Sequence, residues 1–361
     1  MPITKIEQQN RMLDLLLSNA VKNAEGIASG GVTNNFPNSA DLIGLTDSDL
    51  LAFLSKLEAA LHWETKKDGT LKDAGQVQQR VKALRKISDF VRHSQARGVF
   101  AKVDKNIFAY QLAVRARSPR LIDQKGTLLC GPAAIVYDLA KRQPDQYVDF
   151  AISLFTTGSG ALPGKGMVRA SAKIQGGYIR DLLPEADYVV LATLRGTDAI
   201  AYSPDYLRAL LTLTKPAALC EFLTRTGYSS VEDHTFLHLG MSLKLLNTVT
   251  PFPLNARGHD PLDRGEQNLK AAQNALVAKE RLVIMLAEGA VAEAMKNGKD
   301  LTVRTGSLPA DATHWTAIRK LEFKPNNKVS IKLMSWGGTH ERTLDKDALL
   351  SRYAGYVCAK P

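Results

Sequence analysis

The chain has 361 residues, 45% of them hydrophobic and 23% charged. That is an ordinary globular composition and enough length for roughly two domains. It excludes a disordered chain, a collagen-like fibre and a disulfide scaffold, and no apolar run is long enough to span a bilayer. Lys+Arg 47 against Asp+Glu 36 leaves a net charge of +11, which favours acidic partners or surfaces without specifying a fold.

Residues 3–24 carry Ile6, Met12, Leu15, Leu16 and Leu17 at helical intervals. Acids and amides precede that apolar run and no small-residue cleavage site follows, so it does not read as a secretory leader. Synthesis in the cytoplasm is expected, with any export by a route other than general secretion. A Gly/Asn/Ser-rich loop follows. Thr46, with Asp47 and Asp49 behind it, then predicts the N-cap of a second helix through LLAFLSKLEAALHW. A third is predicted over about 74–96. Its mild basic cluster, Gln79–Arg97, reads as solvated charge. RNA-recognition sequences, paired-cysteine fingers and bZIP heptads are absent, and no specific nucleic acid is expected as a partner.

Beyond Phe100 the character changes. Residues 106–142 read as an extended stretch, a turn and a helix that starts at Cys130. The apolar runs 187–194 and 281–286 fit strand or helix segments. Helices are expected over 204–227 and 260–280. The last section reads as strands: HWTAIRKLEF, a turn at Asn326-Asn327, KVSIKLMSW and a Gly-Gly turn. Helices first and strands later predict an α+β fold. The expected organisation is an α-helical N-terminal region over 1–108 and a second domain over 109–361, with a helical insertion at about 195–280.

Two motifs fail. Gly158–Gly166 invites a phosphate-loop reading, but Ser159 stands where the first Gly belongs and Gly166 where Ser or Thr belongs. A flexible loop is expected there. His234 and His238 are spaced to share a helix face as two metal ligands do, with His259 or Asp260 as a third. No glutamate follows the first histidine, and both are read as surface or core residues. No metal or cofactor is expected.

The pattern that survives centres on Cys130, one of three cysteines, a number too low and odd for a disulfide framework. Cys130 opens the run GPAAIVYDLAKR, with Pro132 acceptable in the first turn. The positive end of a helix favours the thiolate, the nucleophilic form. Gln124, six residues earlier, is spaced for its amide to donate to an oxyanion. A cysteine nucleophile needs a base distant in sequence. Of seven histidines, His314 alone combines a strand start, a following Trp and a position well downstream. Cys220, in PAALCEFL, and Cys358, near the last strand's end, are read as packing residues.

Gln-x5-Cys-Gly, a distant His-Trp and then Ser335-Trp336-Gly337-Gly338 resemble the papain-like cysteine peptidase superfamily over about residues 110–361. The resemblance implies a core in which a helix carrying the cysteine packs on an antiparallel sheet carrying the histidine. It makes Cys130 the nucleophile, His314 the general base and acid, and Gln124 the oxyanion donor. The family's orienting Asn precedes Ser-Trp-Gly, where this chain has Met334. Ser335, Asn326, Asn327 or a backbone carbonyl stand as alternatives, as does a Cys-His dyad. The closing segment also resembles papain-like modules of bacterial toxins and type VI secretion effectors.

The expected function is a thiol protease or amidase working through an acyl-enzyme. Its partners would be a protein or peptide substrate and, for a secreted effector, a secretion adaptor or immunity protein. Glutamine deamidation and peptidoglycan cleavage use the same machinery. Two readings from other classes stay open: a degenerate papain-like fold that only binds a partner, motivated by Met334, and a basic nucleic-acid-binding protein.

Overall fold

The computed structural model describes residues 42, 44–62, 74–94, 97–164, 166–178, 182–198, 214–235, 261–278, 282–303 and 312–360. The expected helix over 3–24 and its following loop lie outside these residues, as do 204–213 and His238. The fold is α+β. The chain forms two compact units, interleaved in sequence. One comprises residues 1–123, 136–161 and 167–193, and the other 124–135, 162–166 and 194–361.

The first unit is mainly helical. Helix α1 (Asp47–His62) starts as the sequence predicts. Thr46 Oγ1 accepts the Asp49 N–H at 3.1 Å, and Asp49 Oδ2 takes the Thr46 hydroxyl at 2.6 Å, a reciprocal cap. Helix α2 spans Ala74–His93. The stretch expected to be extended is instead helix α3 (Lys105–Arg117), capped by Asp104, whose carboxylate accepts the N–H groups of Asn106 and Ile107. Every residue from Ile107 to Ala116 is buried, so the segment has no polar face and no 3.6-residue alternation to betray it.

Helix α4 (Cys130–Arg142) begins at the cysteine as expected; its residues up to Ile135 belong to the second unit and the rest to the first, and α5 (Pro144–Thr157) follows directly. Phe108 of α3 and Phe155 of α5 stack with ring centroids 4.5 Å apart. Strands β1 (Ser159–Ala161) and β2 (Met167–Arg169) pair as a small antiparallel hairpin, where a flexible loop was expected. The ambiguous apolar run 187–194 is helical, with a π-helical turn over Tyr188–Ala192. Buried Arg115 of α3 ties this stretch down, donating to Asp187 at 2.7 Å. Asp187 also accepts the Asp123 N–H at 3.1 Å.

The second unit is built on a six-stranded antiparallel sheet. After α6 (Pro216–Arg225) come β3 (Ser230–Asp233), α7 (Pro261–Val277), β4 (Leu282–Glu288), α8 (Gly289–Asn297), β5 (Ala312–Lys324), β6 (Lys328–Ser335), β7 (Gly338–Asp345), α9 (Lys346–Leu350) and β8 (Tyr353–Lys360). The spatial order is β3-β8-β4-β5-β6-β7. Segment 195–280, expected as a helical insertion, thus supplies an edge strand as well as helices. Strand β4 is buried at every position, so both its faces are covered and its sequence is apolar from Leu282 to Ala287, with buried Glu288 at its end paired to Arg352. Leu269, Val291 and Met295 from α7 and α8 pack with Val283, Met285, Ile318 and Leu333 of the sheet.

Two turns organise the sheet around β6. Asn326 and Asn327, between β5 and β6, both have φ near +58°, a conformation asparagine tolerates. The expected Gly-Gly turn is shifted by one residue. Ser335 pairs with Gly338, so the turn's central residues are Trp336 and Gly337, with φ of 45° and 66°. Among the described residues, no helix is long and apolar enough to cross a membrane.

Candidate active site

The candidate nucleophile, base and oxyanion donor all belong to the second unit. Gln124 opens a turn in which its carbonyl accepts the N–H of Thr127 at 3.2 Å and the Thr127 hydroxyl at 2.7 Å. Lys125 takes φ of 51° within it. Three residues later the chain enters α4 with Cys130 as first residue. Gln124, Leu129 and Cys130 are all buried.

On the sheet, strand alternation puts His314, Thr316 and Ile318 on one face of β5 and Trp315 and Ala317 on the other. Ala317 pairs with Met334, so Met334 shares the Trp315 face and Ser335 shares that of His314. Met334, in the resemblance's orienting position, therefore lies across the sheet from the histidine. Ser335 takes the contact instead: its Oγ and His314 Nε2 are 2.6 Å apart. Asn326 and Asn327 sit at the other end of β6, where the Asn327 amide donates to Asp347. The Trp336 ring stacks on His314, centroids 4.6 Å apart and planes at 27°. A tryptophan with positive φ is strained, and this stacking is what the strained turn achieves.

The two ends meet at Trp315. Its backbone N–H faces the Cys130 sulfur and, with those of Gly131 and of Cys130 itself, favours the thiolate. Its indole N–H donates to the Thr214 carbonyl at 2.8 Å. Thr214 in turn lies against Gly131: a Cβ added there would meet Thr214 Cβ and Oγ1 at 2.7 Å. Thr214 Oγ1 and Thr316 Oγ1 are buried without a hydrogen-bond partner among the described residues.

The electrostatics correct one expectation. A helix N-terminus predicts a favoured thiolate, and the three N–H groups and the Arg195 charge do pull the Cys130 pKa down. Burial outweighs them and pushes the thiol up to about 11. Burial likewise holds His314 down to about 4. At neutral pH the resting groups are a thiol and a neutral imidazole. Arg195 is a residue the sequence reading missed. A cation at the end of the apolar run VVLATL was the available signal, and it is 6% exposed.

The remaining cysteines lie in packed elements. Cys220 is half-buried on α6 and Cys358 is buried on β8. Burial raises the Cys220 thiol to about 11, with the charges of Asp233 and Cys358 adding to it. His234 follows strand β3 rather than sitting on a helix. Comparison with family models, curated proteins and solved structures returned no match to this chain.

Proposed function

We propose that the chain is a papain-like cysteine hydrolase that cleaves an amide through an acyl-enzyme. The observation that carries this reading is the Trp315 N–H on Cys130 Sγ, because it joins the helix carrying the nucleophile to the strand residue next to His314.

In this reading the His314 Nε2–H donates to Ser335 Oγ, which leaves the Nδ1 lone pair to act as base. Cys130 gives its proton to Nδ1 as sulfur attacks the substrate carbonyl. The transfer accompanies bond formation, since the resting pair is neutral. The oxyanion is held by the Gln124 amide and a backbone N–H. His314 then returns the proton to the leaving amine, and water attacks the thioester to release the acid and restore the thiol. Ser335, rather than an Asn, is the positioning residue. Its contact with His314 is what supports catalysis over a degenerate binding fold in this reading. The substrate class is an amide of a protein, a glutamine side chain or a peptidoglycan peptide, and the resemblance to bacterial toxin modules suits a delivered effector.

The test is acylation by an activated ester, p-nitrophenyl acetate, followed by intact mass and peptide mapping. An acetyl group on Cys130 that forms at least tenfold more slowly in His314→Ala supports the proposal. Equal acylation of Cys130 in both proteins, or none at Cys130, overturns it.

A further inference from the structure

Among the described residues outside the candidate active site, one group of side chains has the chemistry of a metal centre. Glu232 of β3 pairs in register with Cys358 of β8, so the two side chains project from the same face of the sheet as cross-strand neighbours. His234, two residues on, shares that face. One ligand atom from each of Glu232, His234 and Cys358 lies within 4.8 Å of the other two. His234 Nε2 is 3.0 Å from Glu232 Oε2, and Cys358 Sγ is 3.8 Å from the same oxygen. Metal–ligand bonds of about 2.0–2.3 Å in a tetrahedron set the ligand atoms roughly 3.3–3.8 Å apart. The Glu232–Cys358 spacing lies at the top of that range and the Glu232–His234 spacing just below it.

The supporting residues hold the imidazole in place. Its ring stacks on Tyr356 at 4.6 Å. Its backbone N–H donates to the Tyr356 carbonyl at 2.8 Å. Its carbonyl accepts from Asn268 Nδ2 at 3.1 Å, and Asn268 Oδ1 accepts the Tyr353 hydroxyl at 2.6 Å. Glu232 is exposed and Cys358 buried, so the site has an entrance at the surface and a soft ligand at its base.

We propose that Glu232, His234 and Cys358 bind a zinc-class divalent cation. A thiolate, an imidazole and one carboxylate suit zinc or cobalt and not magnesium or calcium, which prefer all-oxygen sets. On binding, the Cys358 S–H bond breaks, its proton goes to solvent and a sulfur–metal bond forms. Water completes the tetrahedron. The cation fastens the edge strand β3 to β8, at the far end of the segment that begins with Thr214 over Gly131.

The experiment is titration of metal-free full-length protein with cobalt(II), followed in the near-ultraviolet, and with zinc(II) by calorimetry. One equivalent of saturable binding with a thiolate-to-cobalt charge-transfer band is expected. The band persists in Cys130→Ser and disappears in Cys358→Ser, and zinc affinity falls at least tenfold in His234→Gln and in Glu232→Gln. The two surface variants decide the matter if Cys358→Ser does not fold. Absence of saturable binding, a band that survives Cys358→Ser, or wild-type zinc affinity in both surface variants overturns the proposal. None of these readouts depends on hydrolase activity.

Discussion

His314 Nε2 and Ser335 Oγ stand 2.6 Å apart across the β5–β6 ladder, on a diagonal rather than between direct partners, since the register runs from Ala317 opposite Met334. Both residues sit at strand ends, His314 beside a register irregularity in its pairing with β4 and Ser335 as the last residue of β6, so their contact and the Trp336 ring set the imidazole's direction. Replacing Ser335 with Ala deletes a buried partner worth about 1 kcal/mol. Acylation of Cys130 by p-nitrophenyl acetate is expected to slow about fivefold, with recovery in Ser335→Asn, whose amide oxygen also accepts from Nε2–H. Unchanged rates in Ser335→Ala would mean that the hydroxyl does not position His314.

Trp336 tests the same site from the other side of the ring. Its φ of 45° is a conformation that glycine adopts freely. Trp336→Gly removes roughly 1–2 kcal/mol of backbone strain but also the ring that covers His314. Folding stability is therefore expected to change little while Cys130 acylation falls. Urea unfolding beside the acylation rate separates the two effects. A variant as unstable as it is inactive would show that the ring acts through the fold alone.

The titration of His314 reaches stability directly. Burial lowers its pKa from 6.5 to about 4, so between those values the unfolded chain binds a proton that the folded chain refuses. This contribution is complete above pH 6.5 and is lost as pH falls through 4, a swing of about 3 kcal/mol. Cys130 acts at the other end: its thiol is raised from 9.0 to about 11, so its share is complete below pH 9 and lost as pH rises to 11. Urea midpoints measured from pH 4 to 7 are expected to fall less steeply with acid in His314→Gln than in wild type. Iodoacetamide is expected to label resting Cys130 slowly below pH 8 and faster towards pH 11. Rapid labelling near pH 6 would instead reveal a preformed ion pair.

What the sequence disclosed follows from which signals are local. The Thr46 cap, the helix starting at Cys130, the β5–β6 hairpin and the α+β class all rest on caps, turn residues or alternation, and the fold agrees with each. Helix α3 escaped because burial on every side erases periodicity, and its one local cue, Asp104 two residues before Asn106, stood alone. The turn after β6 was misplaced by one residue because nothing local says that a tryptophan accepts positive φ. Ser335 was one of several alternatives for orienting His314, and only strand register separates it from Met334. The neutral states of Cys130 and His314 are invisible in the sequence, because desolvation depends on what packs around each side chain. Glu232 and His234 are close in sequence, but Cys358 joins them only through β3–β8 pairing.

Gly131 and Thr214 set the packing beside Cys130. A Cβ at position 131 would lie 2.7 Å from both Cβ and Oγ1 of Thr214, and Thr214 is fully buried, so it has no room to swing away. Gly131→Ala is expected to cost about 1–3 kcal/mol through overpacking and to displace the first turn of α4 that carries Cys130. Thr214→Val gives the opposite sign. It keeps the shape and removes a buried hydroxyl with no partner among the described residues, so unfolding should require more urea, by about 1 kcal/mol. If Thr214→Val also slows Cys130 acylation, the hydroxyl donates to the reacting carbonyl and its unpaired state is held ready for substrate. If acylation is unchanged while stability rises, Thr214 serves only as the wall against which Gly131 and the Trp315 indole are packed.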